Sequence, residues 1–163
     1  MRISSVCPRR AACGLATFLL AALTAGCGNR GNAGAGFEQI DTAVVTLPDG
    51  YKVTAESVYR DVDLMRGLMF RDSLAQDRGM LFLHNTLNNW SYWMYQTRIP
   101  LDIIWMDDRK QVVEVSADTP PCTSKKASEC PSYGGHAKAR YVLELSAGAA
   151  AKHGVRLGAT LDF

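Results

Sequence analysis

The sequence predicts an α+β fold that is mostly β: a small sheet or barrel, rich in antiparallel strands, with two short helices. Short runs of β-branched and aromatic residues recur along the chain, and turn residues separate them. Only two stretches have helical spacing or a helix-forming composition. We assign the folded part to residues 38–163, one domain that is long enough to bury a core without a metal.

The elements follow in chain order. Residues 42–47 and 51–58 are predicted to form a hairpin around the turn Pro48-Asp49-Gly50, and apolar residues at helical spacing predict a helix over 59–69. The remaining predicted strands are 79–84, 91–97, 101–106, 112–117, 139–145 and 159–163. Residues 85–89 and 118–138 are predicted loops, and 146–154 a helix with Ser146 as its N-cap.

The N-terminus has the pattern of a bacterial lipoprotein signal. Residues 1–26 combine a basic start with an uncharged run, and "LTAGC" places small residues before Cys27. We expect cleavage there, lipidation of Cys27 and a Gly-rich tether over 28–37. The alternative is ordinary signal cleavage with Cys27 incidental. The expected location is the periplasm, with the membrane as a partner through lipid and the choice of inner or outer membrane open.

Charge argues against nucleic acid as a partner. The whole chain has 18 basic and 16 acidic residues, and removal of Arg2, Arg9 and Arg10 with the signal leaves 15 against 16. No basic stripe remains that would hold a phosphate backbone.

Two cysteines remain in the folded part, Cys122 and Cys130. An even pair in an oxidising compartment predicts a disulfide. The alternatives are a redox pair and a metal site. The first lacks the C-x-x-C spacing, and the second lacks a further pair of ligands nearby.

Five spaced motifs carry a family resemblance: "RGLMFRDSL", "GMLF", "YWMYQTRIPLDIIW", "PPC" with "CPSYGG", and "ARYVLELSAG". In this order they resemble the family known as domain of unknown function 192, over residues 42–163. The resemblance implies a compact, mostly β domain that is commonly exported or lipid-anchored, and it supplies no activity. Where the family usually carries Lys-Asn, this chain has Tyr95-Gln96.

Asp102 is a carboxylate within the apolar run 101–106. Strand alternation places Leu101, Ile103 and Trp105 on one face and Asp102 with Ile104 and Met106 on the other. An unpaired carboxylate is costly to bury, so Asp102 is paired, lies at the rim of the sheet or is neutral. Arg66 is the first choice of partner, before Arg71 and Arg98. Asp102 is then either a structural tether or a working acid or base.

The candidate pocket consists of Arg66, Met69, Met80, Trp93, Met94, Thr97 and Asp102. We expect an aromatic and methionine-lined groove, covered by the loop 118–138, that binds a small molecule or an envelope protein. The first alternative is an envelope enzyme acting on cell-wall or glycan material with Asp102 as acid or base. The second is copper handling by the methionines. The sequence favours the binding domain and assigns no catalytic residue, metal or cofactor.

Overall fold

The structure is a computed structural model that describes residues 41–163, and these residues form eight strands and two short α-helices. The strands are β1 (Thr42–Thr46), β2 (Lys52–Val58), β3 (Arg78–Asn88), β4 (Ser91–Trp93), β5 (Leu101–Met106), β6 (Val112–Thr119), β7 (Ser132–Gly134) and β8 (Ala139–Ser146). The helices are α1 (Asp61–Arg66) and α2 (Ala149–Lys152), with a 3-10 turn at Ala127–Glu129. The predicted class, α+β and mostly β, is confirmed.

Six strands form one mixed sheet in the order β1-β2-β3-β8-β5-β6. The sheet is open and not a barrel, with β1 and β6 at its edges. Its strand pairs are antiparallel except β2 with β3, which run parallel. A parallel pair needs a crossover connection, and residues 59–77 provide it with α1.

Strands β3 and β8 lie at the centre of the sheet, β5 lies between β8 and the edge strand β6, and all six residues of β5 are buried. Leu101, Ile103 and Trp105 join one hydrophobic cluster, and Ile104 and Met106 join the other. The predicted alternation is therefore confirmed. We call the side with Ile103 the α1 face and the side with Ile104, which packs with residues of α2, the α2 face.

Strands β4 and β7 form a separate two-stranded sheet over the α1 face. Its position depends on Gly134, because a Cβ there would lie 2.2 Å from the Trp105 ring. The Trp105 Nε1 also donates a hydrogen bond of 2.8 Å to the carbonyl of Trp90, just before β4. The small sheet is thus fixed directly on the core.

Several boundaries differ from the predictions. Residues 85–88 extend β3 instead of forming a loop, and β4 is shorter than the predicted strand 91–97. The predicted last strand is only two isolated bridges, from Thr160 and Asp162. Ser146 is not an N-cap: it ends β8, and its hydroxyl donates to the carbonyl of Leu74 at 2.8 Å. These segments take their form from tertiary contacts, which local pattern does not record.

The loop between β6 and β7 brings Cys122 and Cys130 to bonding distance, with their Cα atoms 5.6 Å apart. We expect the mature protein to carry this bond, so its intact mass will rise by two hydrogens on reduction. The Cys122→Ser, Cys130→Ser double variant is expected to lose about 2.5 kcal/mol of unfolding free energy, because the bond restricts a short loop in the unfolded chain. Urea denaturation measures the loss, and two free thiols in freshly extracted protein would contradict the prediction.

Candidate functional site

A pocket of about 600 Å³ opens on the α1 face. One part of its lining comes from α1 and the turn after it, residues 61–69. Another part comes from residues 82–86 of β3 and from residues 90–93, which include β4. Its lining includes the aromatic residues Phe82, His84, Trp90, Tyr92 and Trp93. We call it the Glu144 pocket, after the carboxyl group of β8 that lines it.

Glu144 is 4% exposed, and its neighbours across the sheet are Met80 of β3 and Ile103 of β5. Its Oε2 is buried and has no hydrogen-bond partner among residues 41–163. Burial raises the pKa of Glu144 to about 8, although the charge of Arg71 acts in the opposite direction. The pocket therefore contains a carboxyl group that is mostly protonated at neutral pH.

Arg71 is the cation whose charge acts on Glu144, and it is already engaged. Its Nη1 and Nη2 each donate a 2.6 Å hydrogen bond to the two carboxylate oxygens of Glu56 on β2. This fork, two parallel hydrogen bonds from one guanidinium to one carboxylate, is the strongest arrangement of such a pair. It raises the pKa of Arg71. Glu56, and not Glu144, thus holds the guanidinium.

Access to Glu144 depends on the absence of a side chain at Gly67, which follows α1. A Cβ at this position would lie 3.3 Å from the Phe82 ring and 3.9 Å from the Glu144 Oε2. Gly67 also has a φ of 45°, in the left-handed region that glycine tolerates best. Gly67 in "RGLM" therefore has two roles: it ends α1, and it leaves space beside the Glu144 carboxyl group.

The aromatic wall contains an uncharged polar pair. The Nε2 of His84 and the hydroxyl of Tyr92 lie 2.9 Å apart, and the His84 ring stacks on Trp90 at 4.0 Å. Burial lowers the pKa of His84 to about 4, and burial, with a smaller effect of the Glu144 charge, raises the pKa of Tyr92. Both groups are neutral at neutral pH, so the inner pocket offers hydrogen bonds without a fixed charge.

Asp102 does not belong to this pocket, since it lies on the opposite face of the sheet. It is fully buried, as predicted, but the predicted ion pair with Arg66 is wrong. Its Oδ1 accepts a hydrogen bond from the backbone amide of Asp118 at 2.8 Å, and its Oδ2 accepts one from Ala150 at 2.7 Å. Ala150 is in the first turn of α2, where backbone amides lack partners within the helix. Asp102 therefore joins α2 and the end of β6 to β5.

The methionines do not converge on one site. Met80 and Met94 are buried on the α1 face, and Met106 is buried on the α2 face. Met65 is 66% exposed, and Met69 lines the pocket. The sheet therefore separates Met106 from the other four methionines, so the five do not form one site.

Four of the seven predicted pocket residues line the Glu144 pocket: Arg66, Met69, Trp93 and Thr97. Met80 and Met94 lie in the core of the same face, and Asp102 lies on the other. The predicted cover is also wrong: of the loop 118–138, only Ser132 lines the pocket. Sequence reasoning missed Glu144, although the alternation in "YVLEL" could have indicated it, because Glu144 shares its face with Val142.

Within residues 41–163, no group of three or more His, Cys, Asp or Glu side chains is arranged to hold a metal ion. The same part of the chain contains no helix that is long and apolar enough to cross a membrane. Cys27, the predicted signal and the predicted tether lie outside the described residues.

The fold is similar to that of two solved structures. One is a protein of unknown function from Novosphingobium aromaticivorans, with 27% identity, a TM-score of 0.69, and coverage of 78% of this chain and 89% of that one. The other, from Sinorhizobium meliloti, is provisionally described as a transcription regulator; it has 26% identity, a TM-score of 0.68, and coverage of 76% and 95%. Comparison with curated proteins found no match.

The residues that match a family model include both faces of the sheet and every residue that lines the Glu144 pocket. Residues 44–163 match the family DUF192, which is described as "Uncharacterized ACR". This agrees with the resemblance carried by the five motifs. The chain belongs to the DUF192 family.

Proposed function

We propose that this protein is a lipid-anchored binding protein of the bacterial periplasm, and that its Glu144 pocket holds a small molecule. The observation that carries the proposal is the buried Oε2 of Glu144, which has no partner within the described residues and lines a pocket of about 600 Å³. A buried polar atom without a hydrogen bond destabilises the fold, and a bound molecule that supplies the bond removes this cost.

The other lining residues suit such a ligand. Pockets for small molecules are concave and mostly apolar, with a few polar groups that fix the orientation of the ligand. Here Trp90, Tyr92 and Trp93 provide aromatic surface, while Glu144 and His84 provide the polar groups. The site therefore has the volume, the apolar surface and the convergent polar atoms that binding requires.

The tryptophans provide a direct test on the full-length protein in detergent. The chain has three; Trp90 and Trp93 line the pocket, and Trp105 packs 5.8 Å from Tyr92. We expect saturable changes in tryptophan fluorescence on titration with at least one of cyclohexanol, cyclohexylamine, glucose and glucosamine. Trp93→Ala should weaken that binding at least fivefold.

The matched control is Leu157→Ala, which also removes an exposed apolar side chain but lies outside the pocket. It should leave binding unchanged. A flat fluorescence signal for all four compounds, or equal weakening by both variants, would contradict the proposal.

A second candidate is an envelope enzyme acting on cell-wall or glycan material, with Glu144 in the role first considered for Asp102. The supporting observation is that the pKa of Glu144, raised to about 8 by burial, keeps a proton on the carboxyl group at neutral pH. The discriminating measurement is the release of soluble fragments from purified cell wall. Release by the wild type but not by Glu144→Gln would favour the enzyme over the binding protein.

The anchor is tested separately. The sequence "LTAGC" supports lipidation of Cys27, and a multiply acylated N-terminus holds a protein on a membrane because each buried CH₂ contributes about 0.8 kcal/mol. We expect Cys27→Ala to leave the precursor uncleaved or to release the protein into the soluble fraction, as measured by fractionation and immunoblotting. The control Cys13→Ala, within the predicted signal, should remain membrane-bound. Unchanged size and membrane association of Cys27→Ala would contradict the anchor.

A further inference from the structure

The Glu144 pocket combines two features that one class of ligand would satisfy together. The first is a buried carboxyl group whose Oε2 lacks a hydrogen-bond donor among the described residues. The second is a lining rich in aromatic rings, with Phe82, Trp90, Tyr92 and Trp93. Aromatic rings attract cations through their negative faces, and a carboxylate accepts hydrogen bonds from an ammonium group.

We propose that the Glu144 pocket binds the primary ammonium group of a small molecule, with the ammonium N–H donating to the Oε2 of Glu144 and the aliphatic stem against the aromatic wall. This inference rests on the proposed binding function and specifies its ligand. An uncharged ligand could donate the same hydrogen bond, but it would gain little from the electrostatic attraction of the rings.

The charges around the site are compatible with a bound cation. Arg71, whose charge acts on Glu144, is already paired with Glu56 through two hydrogen bonds. Tyr92 from β4 and His84 from β3 are neutral at neutral pH, because burial raises the pKa of the first and lowers that of the second. Strand β5 contributes only apolar side chains to this face. At the mouth, the exposed Arg66 and Asp61 of α1 carry opposite charges. The Oε2 of Glu144 thus has no hydrogen-bond donor within residues 41–163, and Arg71 acts on it only through its charge.

Binding of a cation must displace the proton that Glu144 carries in the empty pocket. The pKa of Glu144 is raised to about 8 by burial, so only a small fraction of the protein is ionised at pH 6. A primary ammonium keeps its charge throughout this range, since alkylamines titrate near the lysine value of about 10.4. The apparent affinity for the ammonium should therefore rise about tenfold from pH 6 to pH 7, and level off above pH 8.

The experiment compares cyclohexylamine with cyclohexanol, which has a similar shape and no charge, on the full-length protein in neutral detergent. Tryptophan fluorescence gives both affinities at pH 6, 7 and 8. We expect cyclohexylamine to bind more tightly with rising pH and at least tenfold more tightly than cyclohexanol at pH 8. Glu144→Gln should remove the pH dependence and weaken cyclohexylamine binding at least tenfold, and the control Leu157→Ala, outside the pocket, should change neither.

The outcomes separate the two proposals. Saturable binding of cyclohexanol that equals or exceeds that of cyclohexylamine at pH 8 would overturn the ammonium inference and leave the pocket function intact. An unchanged affinity for cyclohexylamine in Glu144→Gln would overturn it as well. If neither compound nor any sugar saturates, the binding function itself fails. With the inference upheld, titration with glucosamine and with ethanolamine distinguishes an amino sugar from an aminoalkyl group.

Discussion

Replacing Asp102 with asparagine is expected to lower the free energy of unfolding by about 3 kcal/mol. The carboxylate accepts one backbone hydrogen bond at each oxygen, from Asp118 and from Ala150. Asparagine keeps only one acceptor, and its amide nitrogen would meet a backbone N–H, so that one buried donor loses its partner. Because the site is fully buried, water cannot replace the lost bond without rearrangement of the core. Urea denaturation of both proteins measures the difference.

The matched control is Asp108→Asn, which changes an exposed aspartate in the turn that follows β5. Its effect should stay within about 0.5 kcal/mol, as for most surface substitutions. A stability of Asp102→Asn equal to that of the wild type would show that the two backbone bonds do not hold α2 and β6 in place. Ligand binding by Asp102→Asn, at a temperature where it is folded, should match the wild type, because Asp102 lies on the face opposite the pocket.

The second large effect is a pH dependence of stability caused by Glu144. Its pKa is raised from 4.5 to about 8 in the folded protein, first of all by burial. Between these values the folded state retains a proton that the unfolded state has released, so the stability falls as the pH rises. The loss of unfolding free energy is of order 4 kcal/mol between pH 4.5 and pH 8. Below pH 4.5 both states are protonated, and the stability is fully present.

Glu144→Gln removes the titrating group while keeping its shape. We therefore expect its unfolding free energy, measured in urea at pH 5, 6.5 and 8, to decline less with pH than that of the wild type. The stability difference should move in favour of the variant by several kcal/mol from pH 5 to pH 8. The control Glu129→Gln removes an exposed carboxyl group whose pKa is lowered by hydrogen bonds from Ser124 and Lys126. Glu129→Gln should leave the decline of unfolding free energy with pH as steep as in the wild type. An equally steep decline in the wild type and in Glu144→Gln would contradict the prediction.

Much of the fold follows from local pattern, and β5 is the clearest case. The apolar run 101–106 predicted its bounds, and strand alternation predicted the division of its side chains between two clusters, which cover the two faces of the sheet. The turn Pro48-Asp49-Gly50 likewise predicted the first hairpin, since Gly50 adopts the positive φ that the turn requires.

The site was harder to predict, because its chemistry depends on which chain segments meet. The pattern showed that Asp102 must have a partner, but the partners are backbone amides 16 and 48 residues away, which leave no mark on side-chain composition. Glu144 was overlooked because the local pattern suggested a solvent-exposed residue. Alternation in "YVLEL" usually places the polar residue in solvent, whereas here α1 and β4 enclose that face of β8.

The order of the strands also affects when the chain can fold. Strand β8, at residues 139–146, lies between β3 and β5, so a nascent chain that ends before residue 139 cannot join the two halves of its sheet. Non-local pairing of this kind slows folding, because the conformational entropy of closing a long loop is lost before the stabilising contacts form. The topology thus ties the completion of the fold to the arrival of its last strand, β8.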